Sequence, residues 1–152
     1  MISTAPSPTR VHTRAVLLHT ATALVSIIGL ADAIYLTVEH VSGRSVRCTL
    51  TSGCSEVLSS PYASIGGIPL AAVGALAYFT VFSLGILAAF GYRFAGKLLP
   101  WLVAAMFLTT LWLLYLQAFV IRHFCQYCLL SALVTGTLTV LVGLQFLKSP
   151  AR

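Results

Sequence analysis

The sequence predicts an all-α integral membrane protein: a four-transmembrane-helix bundle with a long outer loop between helices 1 and 2. Three observations carry that expectation. The chain is 59% hydrophobic and 8% charged, where an ordinary soluble domain is about 25% charged. Its mean hydropathy is +0.97, so its 152 residues cannot furnish a polar surface. Its apolar residues fall into four runs, at 15–38, 68–90, 98–121 and 125–147. Each is close to the ~20 residues that cross a hydrocarbon core. Lipid admits only helices and closed barrels, and these runs lack the alternation of barrel strands.

Residues 1–14 form a polar leader with Pro6, Pro8 and Arg10, and they read as a disordered cytoplasmic tail. A cleaved signal peptide does not fit, because the following run is too long and lacks a small-residue cleavage site. The second run is opened by Pro69, a residue suited to a first helical turn. The third carries Pro100 near its start, and 148–152 form a second cytoplasmic tail. The stretch 39–67 is the one long connection. The connection between the second and third helices is short, so those helices should run antiparallel.

Nine Lys and Arg stand against three acids, a formal charge of +6. The basic residues sit singly or in pairs at the ends of apolar runs, without the basic stripe of a nucleic-acid protein. Arg10, Arg14, Arg93, Lys97, Lys148 and Arg152 fall on one side of the bundle, and Arg44, Arg47 and Arg122 on the other. Positive residues favour the cytoplasmic side, so both termini belong inside. The loop 39–67 and the turn around 122–124 belong outside.

All four cysteines then lie on the outer side, although the cysteines played no part in setting the orientation. Outside the bacterial plasma membrane disulfides form and persist. Cys125 and Cys128 make a C-x-x-C at the start of the fourth run. Spacing of i,i+3 puts both sulfurs on one helix face. Free backbone N–H groups at a helix N-terminus stabilise a thiolate, the competent species in disulfide exchange. Cys48 and Cys54 enclose five residues, mostly small, in the outer loop. Such a loop could carry a disulfide between a partner and the C-x-x-C. Two structural disulfides or a Cys₄ zinc site are the competing readings of the same four residues.

The chain resembles the bacterial form of the vitamin K epoxide reductase (VKOR) family. The resemblance runs from about Gly29 to Leu144 and rests on several features in order. These are Gly29-Leu30 with Ile34-Tyr35-Leu36-Thr37, the loop pair Cys48 and Cys54, and Ser60 six residues on. Gly67-Ile68-Pro69-Leu70, Gly74, Tyr78 and the Cys125–Cys128 pair follow. The other quinone-coupled four-helix disulfide generator, the DsbB type, has its C-x-x-C in the first outer loop. Here that order is reversed.

The resemblance implies a four-helix bundle around a quinone, menaquinone or ubiquinone, capped by a short helical segment in the outer loop. Cys125 and Cys128 would be the active pair, and Cys48 and Cys54 the shuttle. Cys54 would exchange with Cys125, leaving Cys128 as the thiolate facing the quinone. Cys48 would meet the partner, and Ser60 would lie near the quinone head. Tyr127 and Tyr78 are the aromatic candidates for quinone contact. The animal enzymes carry an Asn and a Tyr on the quinone oxygens where this chain has Leu70 and Ala132. That departure tells against epoxide chemistry and leaves quinone reduction intact.

The expected function is a quinone-dependent thiol–disulfide oxidoreductase of the bacterial cytoplasmic membrane that supports disulfide formation in secreted proteins. Some family members carry a fused thioredoxin-like domain. This sequence closes at Arg152, so the expected partner is a separate periplasmic DsbA-like protein. The alternatives are vitamin K quinone or epoxide reduction, or a non-catalytic membrane scaffold. Asp32, about six residues from the outer end of the first run, is either a functional intramembrane charge or an interfacial residue. Arg122, His40 and His123 flank the outer surface and could tune a thiol.

Overall fold

A computed structural model of the chain describes residues 8–148, with side chains over 12–147. Four long helices form the bundle: α1 (Pro8–Val41), α3 (Leu70–Ala89), α4 (Arg93–Tyr115) and α5 (Gln126–Lys148). Each contains a segment long and apolar enough to cross a membrane: His12–Val41, Leu70–Ala89, Arg93–Ile121 and Gln126–Leu147. This is the all-α membrane bundle expected. The outer loop carries a short helix, α2 (Cys54–Leu58), then a 3₁₀ turn (Pro61–Ala63) and a hairpin of β1 (Ser64–Ile65) and β2 (Ile68–Pro69).

Helix α1 packs most extensively on α3 and next on α5, while α4 packs on α5 and α3. The core between them holds Ala33, Tyr78, Val81, Leu99, Val103, Val134, Leu138 and Val142. Large apolar side chains such as Leu24, Phe79, Trp101, Leu108, Leu133 and Val140 point outward. In water such a surface would be untenable; in lipid it is the solvated face. At the end of the bundle away from the cysteines, the Gln145 amide donates to Thr22 Oγ1 at 3.0 Å, tying α5 to α1. Threonines inside the helices return their hydroxyls to the preceding turn, as Thr80 does to the Leu76 carbonyl at 2.8 Å. A hydroxyl in hydrocarbon is thereby satisfied without a partner helix.

Three boundaries differ from the sequence reading. Helix α1 begins at Pro8, so the polar leader is already helical over 8–14 rather than a disordered tail. A proline's fixed φ suits a first turn, and a helix can run past the apolar zone when its extra residues are polar. Met1–Ser7 lie outside the described residues, as do 149–152 of the second tail. Helix α4 begins at Arg93, just past Gly91 with φ +92°, so Pro100 is an interior residue and not a near-terminal one. At its other end α4 widens into a π-helical turn, Leu116–Ile121, which closes on Arg122 with φ +58°. Neither that turn nor the β1–β2 hairpin was foreseen, since a six-residue change of helical pitch leaves the apolar pattern unaltered.

Gly29 on α1 is where α3 comes closest. A Cβ built there would collide with the Cδ1, Cε1 and Cζ edge of the Tyr78 ring. Tyr78 is 2% exposed and hydrogen-bonded to α5, so its ring cannot retreat. Gly29→Ala is expected to destabilise the bundle by about 3 kcal/mol, the upper range for overpacking a tight core. Thermal unfolding in detergent micelles or nanodiscs measures it.

Candidate redox site

The site is built where α1, the outer loop, the π-helical turn and the start of α5 meet. Cys48 and Cys54 are joined in a disulfide with Cα atoms 5.8 Å apart. Cys125 and Cys128 are free thiols. Cys54 is 1% exposed and Cys125 0% exposed, and both belong to one apolar cluster with Leu36, Val46 and Val57. Cys48 and Cys128 pack against the same cluster. The four cysteines are therefore gathered at one end of the bundle.

Close approach of loop to turn depends on Gly53. A Cβ there would stand 2.7 Å from His123 Cβ and 2.9 Å from both the nitrogen and the oxygen of Phe124. The residue before Cys54 thus lies directly against the residue before Cys125. Nothing larger than hydrogen fits without moving backbone.

Cys125 occupies the cap position of α5. Its carbonyl accepts from Leu129 N–H at 3.0 Å, and its own N–H donates to Gln117 Oε1 at 3.2 Å. The Cys128 thiol donates to the Cys125 sulfur, and the N–H groups of Cys128 and Tyr127 add to it. These hydrogen bonds outweigh burial and pull Cys125 down to about 7. A helix N-terminus lowers a thiol in this way, and here the neighbouring thiol does most of it.

The sign follows directly. The thiolate of Cys125 appears as pH rises through about 7, well below an ordinary thiol, and is lost below it. Cys128→Ala removes the largest cause and leaves burial opposing it, so the midpoint should move to higher pH. Thiolate absorbance against pH, with the outer disulfide intact, reads the shift.

Below the cysteines lies a cavity of about 340 Å³, within the roughly 300–1,000 Å³ of small-molecule sites. Its walls come from α1, α2, α3, α4 and α5 and are largely apolar, with Leu36, Leu70, Met106, Leu113 and Ala132 among them. Cys128 lies on the wall, while Cys125 does not. Val73, Ala105 and Thr109 line it and are also exposed on the lipid-facing side of α3 and α4. The cavity therefore opens on the lipid-facing surface of the bundle.

The pattern of the vitamin K epoxide reductase family matches residues 20–142. The chain belongs to that family. Membership brings membrane oxidoreductase chemistry between disulfides and quinones, and the bundle and the disulfide agree with it.

Of the residues expected near a quinone, Ser60, Leu70, Tyr78 and Ala132 line the cavity. Tyr127 does not. Its ring packs on Tyr35 of α1 at a centroid distance of 5.2 Å, because a helical residue between i and i+3 faces away from the side they share. Two of the lining residues have their hydroxyl protons engaged. Ser60 Oγ donates to the Val57 carbonyl at 2.7 Å. Tyr78 OH lies 3.0 Å from the Ser131 carbonyl, 2.7 Å from Ser131 Oγ and 2.9 Å from Thr135 Oγ1. Asp32 and His40 also line the cavity, whereas Arg122 and His123 are exposed on the turn.

Two glutamines went unread in the sequence. Gln117 is 3% exposed, holds the Cys125 amide and lines the cavity. Its signal was a lone amide at the end of an apolar run. Gln126, inside the C-x-x-C, reaches the outer loop. Its Oε1 accepts from Thr49 N–H at 3.0 Å, Leu50 N–H at 2.8 Å and Thr49 Oγ1 at 3.3 Å. One side chain thus holds the loop immediately after Cys48 against the active helix. Gln126→Ala should lower the rate of exchange between the two cysteine pairs about tenfold, the loss of one to two net hydrogen bonds. Gln126→Glu keeps the acceptor and should recover most of it. Single-turnover quenching with an alkylating agent measures both.

Proposed function

We propose that the protein is a quinone-dependent thiol–disulfide oxidoreductase of a bacterial cytoplasmic membrane. Electrons pass from a separate, reduced thioredoxin-fold protein of the periplasm through Cys48/Cys54 to Cys125/Cys128 and on to menaquinone or ubiquinone. The observation that carries this reading is the placement of the thiols. Cys128 is on the wall of a lipid-accessible cavity, and Cys125 is buried beneath the Cys48–Cys54 disulfide.

A partner thiolate attacks Cys48, the more exposed sulfur of the outer pair, and releases Cys54 as a thiolate. The partner's second thiol displaces Cys48, and the partner leaves oxidised. Cys54 attacks Cys125 of the inner disulfide and Cys128 departs as a thiolate. Cys48 then attacks Cys54, remaking the outer disulfide and freeing Cys125. The arrangement of outer disulfide and inner dithiol corresponds to the end of that exchange. A bound quinone supplies the acceptor for the dithiol's electron pair and two protons. The residues that would hold it are Ser60, Leu70, Tyr78 and Ala132 together with Cys128.

Alternative readings are less well supported. With Cys48 and Cys54 bonded, two thiols remain, too few for a Cys₄ metal site. Among the described residues no three His, Cys, Asp or Glu side chains gather as a metal would require. Epoxide reduction is disfavoured by the apolar Leu70 and Ala132 on the cavity wall.

The test is partner capture in membranes. Cys54→Ala leaves Cys48 a free thiol, which should attack the disulfide of an oxidised thioredoxin-fold protein and be captured with it as a mixed disulfide. Quinone reduction unaffected by loss of Cys125 or Cys128, with no trapped species, would refute the reading.

A further inference from the structure

Among the described residues that line the cavity, Asp32 alone has a fully buried side-chain polar atom without a hydrogen-bond partner. Asp32 of α1 is 7% exposed and lines the cavity. Its Oδ2 is buried and has no hydrogen-bond partner. It lies six residues inside the apolar run that ends at Val38, about 9 Å along the helix at 1.5 Å per residue. A lone acid at such depth is costly and is retained for function. It shares the cavity wall with Cys128.

What else the cavity offers sharpens the point. The proton of Ser60 goes to the Val57 carbonyl, and Tyr78 sits in a closed set with Ser131 and Thr135. Leu70 and Ala132 bring no polar atom, and Gln117, whose Oε1 is held by the Cys125 amide, can donate a hydrogen bond from Nε2 but has no acidic proton to transfer. A quinone carbonyl needs donors, and its reduction needs protons beside the thiols.

We propose that Asp32 is the proton carrier of this cavity, its carboxyl donating a hydrogen bond and then a proton to a quinone carbonyl oxygen and regaining a proton from the Cys128 thiol. This rests on the quinone-linked reading above. The balance closes. The Cys125–Cys128 bond forms and one electron pair leaves the dithiol; the Cys128 proton reaches one quinone oxygen by way of Asp32, and the second proton is drawn from water in exchange for the one Cys125 gives up on ionising. Two O–H bonds form on the quinone, and Asp32 ends in the state in which it began.

The experiment uses the full chain in nanodiscs with menadione, a naphthoquinone lacking an isoprenoid tail. Infrared difference spectra should show a carboxylic acid C=O band that shifts when menadione binds, and Asp32→Asn should abolish that band. The Asn amide can still donate, so menadione affinity should stay within about threefold in Asp32→Asn and fall about tenfold in Asp32→Leu. Single-turnover dithiol oxidation should slow about a hundredfold in Asp32→Asn, the lower range for loss of a general acid. Menadione binding with no carboxyl band change, or Asp32→Leu binding and oxidising at the wild-type level, would overturn the proposal. Failure of menadione to bind the wild type would overturn it together with the reading beneath it, and so the two failures are told apart.

Discussion

Cys128→Ala should abolish quinone-coupled turnover, a fall of at least a thousandfold, while the Cys48–Cys54 disulfide still forms. The reason is positional. Cys128 is the thiol on the cavity wall, and Cys125 lies behind it, fully buried. A cysteine elsewhere cannot substitute, because disulfide formation needs Cα atoms within about 7 Å and aligned Cβ vectors. The activity readout is loss of quinone absorbance on addition of a reduced thioredoxin-fold donor. Cys48→Ala should behave differently. It blocks the outer disulfide, so turnover with protein donors falls, but a small dithiol that reaches the inner pair should retain activity. A variant lacking Cys128 that still turned over with either donor would show that electrons leave by another route.

Gly53→Ala should have the second largest effect. Its Cβ would collide with Phe124 backbone atoms and with His123 Cβ. The turn it strikes closes on Arg122 in a left-handed conformation, and Cys125, one residue past Phe124, is held by Gln117 and α5. The outer loop is therefore the side that yields, and α2 carries Cys54 away from Cys125. A displacement of about 1 Å can cost a hundredfold where reacting atoms must be aligned. Turnover with a protein donor should fall by about that factor. The inner pair's oxidation by quinone should fall less, because Cys128, Leu70, Tyr78 and Ala132 of the cavity wall stay in place on α3 and α5 while only Val57, Leu58 and Ser60 move with the loop. Equal loss in both half-reactions would mean that Gly53 matters only for folding.

Much of this architecture was legible because lipid simplifies the code. Composition named the solvent, and four apolar runs of suitable length left little choice beyond helices. The C-x-x-C at the head of the fourth run and the wide loop pair were visible as spacing. Their convergence also followed once the basic residues had set the topology. Tyr127 lies off the cavity wall, against Tyr35; adjacency in sequence to two cysteines says nothing about which face of α5 a ring takes. Gln117 and Gln126 were passed over because an amide has no periodicity. Each is significant only through what it meets: a backbone N–H eight residues on in one case, and a loop more than seventy residues back in the other. Asp32 was noticed, but its partners in space are on other helices, so only the assembled cavity gives it neighbours.

The account stands on electrons crossing from Cys54 to Cys125. The most direct measurement is peptide mass spectrometry, without reduction, on a Cys48→Ala/Cys128→Ala variant prepared in membranes. With neither cysteine able to pair with its neighbour, a mild thiol oxidant such as diamide should join the two that meet, and a peptide pair linked through Cys54 and Cys125 should accumulate. Recovery of both cysteines as free thiols under mild oxidation would contradict the account.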